Sequence, residues 1–132
     1  MGDEEANREV VRRLWELFEE RDWQGAGALL HEDVVVDWPW SAERIRGRDN
    51  FISVNRHHPA PDWHIEVRRI VAEGDQVVSE VIVPYEGGQS RAASFFELRD
   101  GRIARIVEYW IDHGQQEPLE YRAAWVEPLT PE

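Results

Sequence analysis

At 132 residues the chain has the length of one domain and can bury a core of its own. A net charge of −12 argues against nucleic acid or an anionic membrane surface as a partner. With no cysteine, disulfides and thiolate chemistry are excluded.

The acidic start, Met-Gly-Asp-Glu-Glu, lacks the basic and apolar regions of a signal peptide, and no apolar run approaches membrane-spanning length. A cytoplasmic location follows by elimination. Residues 4 to about 21 read as an amphipathic helix, with Val10, Val11, Leu14, Trp15, Leu17 and Phe18 at helical spacing. Asp22 is placed to cap a second, short helix that runs to about His31, weakened by Gly25 and Gly27. Val34–Trp40 reads as a strand that ends at, or lies at an edge because of, Pro39. Residues 41–47 are expected to form a loop, and a third helix spans Arg48–His58, stopped by Pro59 and Pro61.

From Trp63 the chain reads as a β-meander. Strands at 63–72, 77–85, 90–99 and 102–112 are separated by Gly74-Asp75, Gly87-Gly88 and Asp100-Gly101, all tight-hairpin dipeptides. The last segment, 113–132, carries three prolines and is expected to dock, through Tyr121 and Trp125, on the domain or on a dimer. Helices followed by a meander give a single α+β domain, in which a cone-shaped, curved antiparallel sheet is packed by about three N-terminal helices. The concavity of such a sheet is where a ligand pocket forms.

The order of elements resembles the nuclear transport factor 2-like superfamily, and within it the SnoaL-like polyketide cyclase branch. The resemblance rests on Asp22-Trp-Gln-Gly25, on Leu-Leu-His-Glu-Asp-Val-Val-Val at 29–36, on Arg46-Gly-Arg-Asp49, and on Asp100-Gly-Arg-Ile with Glu-Tyr-Trp at 108–110. It covers about residues 8–112. The fold hosts isomerases, dehydratases, epoxide hydrolases, cyclases and non-enzymes, so it implies no single reaction. The resemblance places Leu14, Trp38 and about Ala93 where the ketosteroid isomerase branch has its Tyr, Asp base and second acid. It places Val81 and Val83 where the epoxide hydrolase branch has an Arg and an Asp; only the last-strand acid is echoed, by Glu108. For the polyketide cyclase branch, either Glu108 or Asp112 stands near the last-strand Asp.

Pairing across a two-residue Asp100-Gly101 loop sets Ala93 opposite Glu108 and Arg91 opposite Trp110, so that one face carries Arg91, Ala93, Phe95, Ile106, Glu108, Trp110 and Asp112. An Arg and two carboxylates on an apolar floor form an acid–base site, with His58 at the pocket mouth as a further partner. The competing reading is an Arg91–Glu108 pair that only holds the sheet. The pocket is expected to be lined by Leu14, Phe18, Val36, Trp38, Trp40, Phe51, Asn55, Val81, Val83, Tyr85, Ala93, Phe95, Ile106 and Trp110. The resemblance puts Val81, Val83 and Tyr85 on the Glu108 face. Strict counting at Gly87-Gly88 puts Glu80 and Ile82 there instead, unless a glycine bulge shifts the register. Asp37 alternates away from Trp38 and Trp40 and reads as a surface or capping group. Arg69 and Glu80 are expected to pair across the Gly74-Asp75 hairpin.

No metal-ligand spacing, phosphate loop, nucleophile elbow or dinucleotide fingerprint is present, so neither a metal nor a cofactor is expected. The functional reading is a cofactor-free acid–base enzyme acting on a small hydrophobic molecule. The alternative is a non-catalytic binding or dimerisation module. Apolar residues on both faces of the last hairpin need two covers, which predicts a homodimer through the outer sheet face.

Overall fold

A computed structural model describes residues 2–130 other than Pro61 and Gln115. Helices α1 (Gly2–Glu19) and α2 (Trp23–Ala28) lead into strands β1 (Leu30–Trp38) and β2 (Glu43–Arg46). Helix α3 (Arg48–Arg56) is followed by the meander β3 (Glu66–Glu73), β4 (Gln76–Tyr85), β5 (Gly88–Arg99) and β6 (Arg102–Asp112). The strands form one curved, unclosed sheet in the order β2-β1-β6-β5-β4-β3.

The sheet is mixed rather than wholly antiparallel. Strand β1 runs parallel to β6, and every other neighbouring pair is antiparallel. The meander's last strand returns beside β1, and the crossover through α3 sets that direction. Strand β2 lies inside the stretch expected to be a loop. Its pairing sets Arg44 opposite Asp37, and the Arg44 Nε donates to Asp37 Oδ1 at 2.7 Å. Helix α3 ends at Arg56, two residues short of expectation; of the two prolines expected to stop it, Pro61 lies outside the described residues.

Helix α1 packs on β3 and β4 and buries Val11, Leu14, Trp15, Leu17 and Phe18. Each such side chain contributes about 1.5–3 kcal/mol through removal from water. Its N-terminal part is tied to the β3–β4 turn, where Asn7 Nδ2 donates to the Gly74 carbonyl and the Gly74 amide donates to Glu4. At its C-terminal end Arg21 sits at φ +61°, with its N–H bonded to the Phe18 carbonyl and the Asp22 N–H bonded to that of Leu17. This closure usually employs glycine. Asp22 then caps α2, accepting from the Gly25 amide at 2.9 Å.

The β5–β6 hairpin decides which side chains face inward. Asp100 and Gly101 both have positive φ, +54° and +77°, as a type I′ turn requires. Leu98 pairs with Ile103, but Glu97 pairs with Arg105, so Ala104 is an extra residue on β6. Beyond this bulge every partner moves by one: Ser94 faces Glu108, Ala92 faces Trp110, and Ser90 faces Asp112. Arg91, Ala93 and Phe95 therefore lie on the outer face, away from Glu108, which corrects the face expected for all three. The outer face also carries Glu80, whose carboxylate accepts from Arg69 and Arg91 at 2.9 Å each. The Arg69–Glu80 pair is as expected; the Arg91 partner is Glu80, not Glu108.

The β4–β5 hairpin has no slip. Its turn is Glu86-Gly87, one residue earlier than expected, with Gly87 at φ +94°. Val81 and Val83 face inward, opposite Ala92 and Ser90. The bulge thus exists, but on the neighbouring hairpin from the one where the sequence suggested it.

The C-terminal segment contains one short 3-10 helix, Glu120–Trp125. The two side chains expected to dock it are not packed on the domain: Tyr121 is 75% exposed and Trp125 81%. Pro131, at the end of the expected tail, lies outside the described residues.

Candidate functional site

A cavity of about 350 Å³ opens between the inner face of the sheet and helices α1 and α3. That lies toward the small end of ligand pockets. Trp38 at the end of β1 and Trp110 on β6 form one side, with Trp40 at the rim. Val83 and Tyr85 of β4 and Ser90 of β5 continue the floor. Trp15 and Phe18 of α1, Val54 and Asn55 of α3, and Trp63 and Ile65 before β3 close the other side.

Of the residues the sequence assigned to a pocket, Phe18, Trp38, Trp40, Asn55, Val83, Tyr85 and Trp110 line this cavity, as do His58 and Asp112. Leu14, Val36, Phe51, Val81 and Ile106 are buried in the core and do not line it. Arg91, Ala93 and Phe95 face away from it. Trp15, Val54, Trp63, Ile65 and Ser90 line it without having been expected there. Trp15 shares the buried face of α1 with Phe18, so helical spacing carried that signal. The position of Trp63 depends on a chain crossing that no local pattern encodes.

Glu108 is the chemical centre of the sheet face. It is 2% exposed and is not itself in the cavity wall. Its Oε1 accepts from the indole N–H of Trp38 at 3.0 Å and from that of Trp110 at 3.2 Å, and its Oε2 accepts from Ser94 Oγ at 2.8 Å. Among the described residues its hydrogen-bond partners are these three, and none is an arginine. Burial pushes the Glu108 carboxyl above its ordinary range, and the donors on Trp38, Ser94 and Trp110 only partly offset this. The two indoles that separate Glu108 from the cavity are held in place by one of its oxygens.

At the rim, Ser90 Oγ donates to Asp112 Oδ1 at 2.5 Å. His58 Nδ1 accepts from the Ala60 amide at 3.1 Å, which leaves the ring Nε2 to interact elsewhere. His57 is turned to its own helix, its Nδ1 lying 2.8 Å from the Ser53 carbonyl. The Arg21 guanidinium lies 3.4 Å over the Trp63 ring and donates to the Trp63 carbonyl at 2.6 Å, anchoring that wall to the end of α1. Asp37, as expected, is away from the cavity. It accepts from Arg44 and from Arg105, and the Arg44 bonds hold its carboxyl below the usual range.

Among the described residues no three side chains of metal-ligating type come together. No described helix is long and apolar enough to cross a membrane.

The profile of the SnoaL-like domain matches residues 11–106. The chain belongs to the SnoaL-like domain family. This places it in the NTF2-like superfamily, as the order of its elements implies. Among solved structures, this SnoaL-like protein is similar to one from Kribbella flavida provisionally called a ketosteroid isomerase. The two are 30% identical over 98% of this chain and 94% of that one, with a TM-score of 0.88. An NTF2-like protein of unknown function from Burkholderia xenovorans is also 30% identical, over 98% of this chain and all of that one, with a TM-score of 0.81. A protein from Xanthomonas campestris provisionally called a polyketide cyclase is 27% identical over 83% of this chain and 93% of that one, with a TM-score of 0.67. No curated protein matches the sequence.

Proposed function

We propose that this SnoaL-like protein binds a small, largely apolar molecule in the tryptophan-walled cavity and carries out cofactor-free proton transfer on it. The observation that carries this reading is the convergence of few polar groups on an otherwise aromatic cavity: His58 and the Ser90–Asp112 pair reach it, and Glu108 lies directly behind its Trp38 and Trp110 wall. Asp112 supplies a carboxylate as proton acceptor, and His58 a ring nitrogen as its partner. Glu108 is a positioning residue that fixes the two indoles. Arg91 has no part, since it lies on the outer face with Glu80.

The relative named for steroid isomerisation supports an isomerase-type reaction, but this chain has Leu14 and Trp38 where that branch is expected to place its Tyr and its base. The proposed chemistry therefore uses the rim groups. The test is hydrogen–deuterium exchange at the α-carbon of a panel of cyclic and aryl ketones in D2O, followed by proton NMR. Catalysed exchange that falls in Asp112→Asn and His58→Ala supports the reading. Binding of the ketones without exchange would leave a binding module. The covering of Glu108 by two indoles favours that second reading.

We also propose that the outer sheet face pairs with a second copy of the chain. Phe95, Tyr109 and Ile111 are exposed together there, and helices cover only the inner face. The exposed Tyr121 and Trp125 of the C-terminal segment would be buried by the same assembly.

A further inference from the structure

The aromatic wall and the charges around it are not evenly arranged. At the β1–β6 side stand Trp38, Trp40 and Trp110, with Asp112 at the rim and Glu108 behind the wall. Trp38 and Trp40 have ring centroids 5.3 Å apart at 35°, so they form an angled pair rather than a flat stack. All 15 basic residues are arginine, and none of them lines the cavity or pairs with Glu108. The acidic side chain in the wall is Asp112. The opposite side already shows what an indole face in this protein does with a cation, because the Arg21 guanidinium rests 3.4 Å over Trp63.

Two physical effects favour positive charge at the Trp38–Trp110 side. An indole face is negative, and it attracts an ammonium group most when both are removed from water. An indole whose N–H donates to a carboxyl oxygen also becomes more electron-rich in its ring, so the two bonds to Glu108 Oε1 deepen the negative potential of both rings. A ligand cation there would sit beside the Asp112 carboxylate, with the Glu108 carboxyl behind the two indoles.

We propose that the cavity takes an organic cation, an apolar molecule bearing a tertiary or quaternary ammonium group, with the ammonium against Trp38 and Trp110 and beside Asp112. The proposal rests on the reading of the cavity as a ligand site and names the class of its ligand. The apolar remainder of the molecule lies toward Phe18, Val83 and Trp63.

The test compares benzyltrimethylammonium chloride with its uncharged carbon isostere, neopentylbenzene, by titration of tryptophan fluorescence and by calorimetry at neutral pH. The two have the same shape, so a difference reports charge. The ammonium is expected to bind about 10- to 30-fold more tightly. Asp112→Asn is expected to weaken the ammonium several-fold and leave the hydrocarbon unchanged. Equal or tighter binding of neopentylbenzene overturns the preference for a cation while leaving an apolar ligand site intact. Failure of both compounds to bind overturns the preference and the ligand-site reading together. An Asp112→Asn variant that weakens both compounds equally also overturns the proposal, since the effect would then be one of shape.

Discussion

Ser94 Oγ donates to Glu108 Oε2 at 2.8 Å, across a register that exists only because Ala104 is an extra residue in β6. Without the bulge Glu108 would face Ala93, whose methyl group can donate nothing. Bulge, serine and buried carboxyl are one arrangement, and the two indoles that form part of the cavity wall complete it.

The raised pKa of Glu108 makes stability depend on pH in a definite direction. A carboxyl with a folded pKa above its unfolded value contributes stability that is present below the unfolded pKa and is lost as pH rises through the folded pKa. Glu108→Gln keeps an oxygen for the two indole donors and removes the buried charge. The variant is expected to melt above the wild type, by a margin that grows from acid to alkaline pH. Urea or thermal melts across that range check this; a margin that is flat or shrinks with pH would show that Glu108 does not titrate in this way.

Ser94→Ala removes the donor to Oε2. Leaving a buried acceptor unpaired costs about 1–3 kcal/mol. The loss is expected to be larger at alkaline pH, where the carboxylate is charged, than at acid pH. Denaturant titrations at the two ends of the range measure both values.

Asp37 behaves in the opposite sense. Its carboxyl is held below the usual range by Arg44 first, so its contribution is present above the unfolded pKa and is lost as pH falls through the folded pKa. Asp37→Asn is expected to cost under about 1 kcal/mol at neutral pH, because the triad with Arg44 and Arg105 is partly open to solvent. The cost should disappear in strong acid, as acid-titrated melting curves of the two proteins will show.

Arg21 combines a left-handed backbone with the stack on Trp63. Arg21→Ala loses the stack and keeps the backbone strain, whereas Arg21→Gly loses the stack and relieves the strain. The glycine variant is expected to be more stable than the alanine variant by about 1 kcal/mol. Thermal denaturation of both proteins decides it, and equal stability would mean that the φ of +61° carries no strain.

Charge placed on the outer face tests the proposed pairing of copies. Tyr109→Arg with Ile111→Arg is expected to convert a dimer to a monomer in light scattering without altering the far-ultraviolet dichroism. A wild-type protein that already scatters as a monomer would remove the assembly.

Much of the fold was legible because its signals are local. The buried face of α1 follows from the spacing of Val11, Leu14, Trp15 and Phe18, the cap at Asp22 from side-chain chemistry, and the last hairpin from Asp100-Gly101, whose residues tolerate positive φ. The strand β2 was not legible, since four residues rich in arginine and glutamate gain their strand character only from β1 beside them.

The sequence by itself determined which residues alternate along each strand, and hence that Glu108 and Trp110 share a face while Tyr109 and Ile111 take the other. It did not determine how neighbouring strands line up, because one inserted residue reverses the faces of everything beyond it, and Ala104 has no local mark of a bulge. Only the tertiary structure decided that Ser94, not Arg91, meets Glu108. Only it brought Trp38 from β1 to the same carboxylate oxygen as Trp110, a contact 70 residues apart in the chain. Such contacts depend on the packing of the whole sheet, and that is why the carboxyl was visible in the sequence and its surroundings were not.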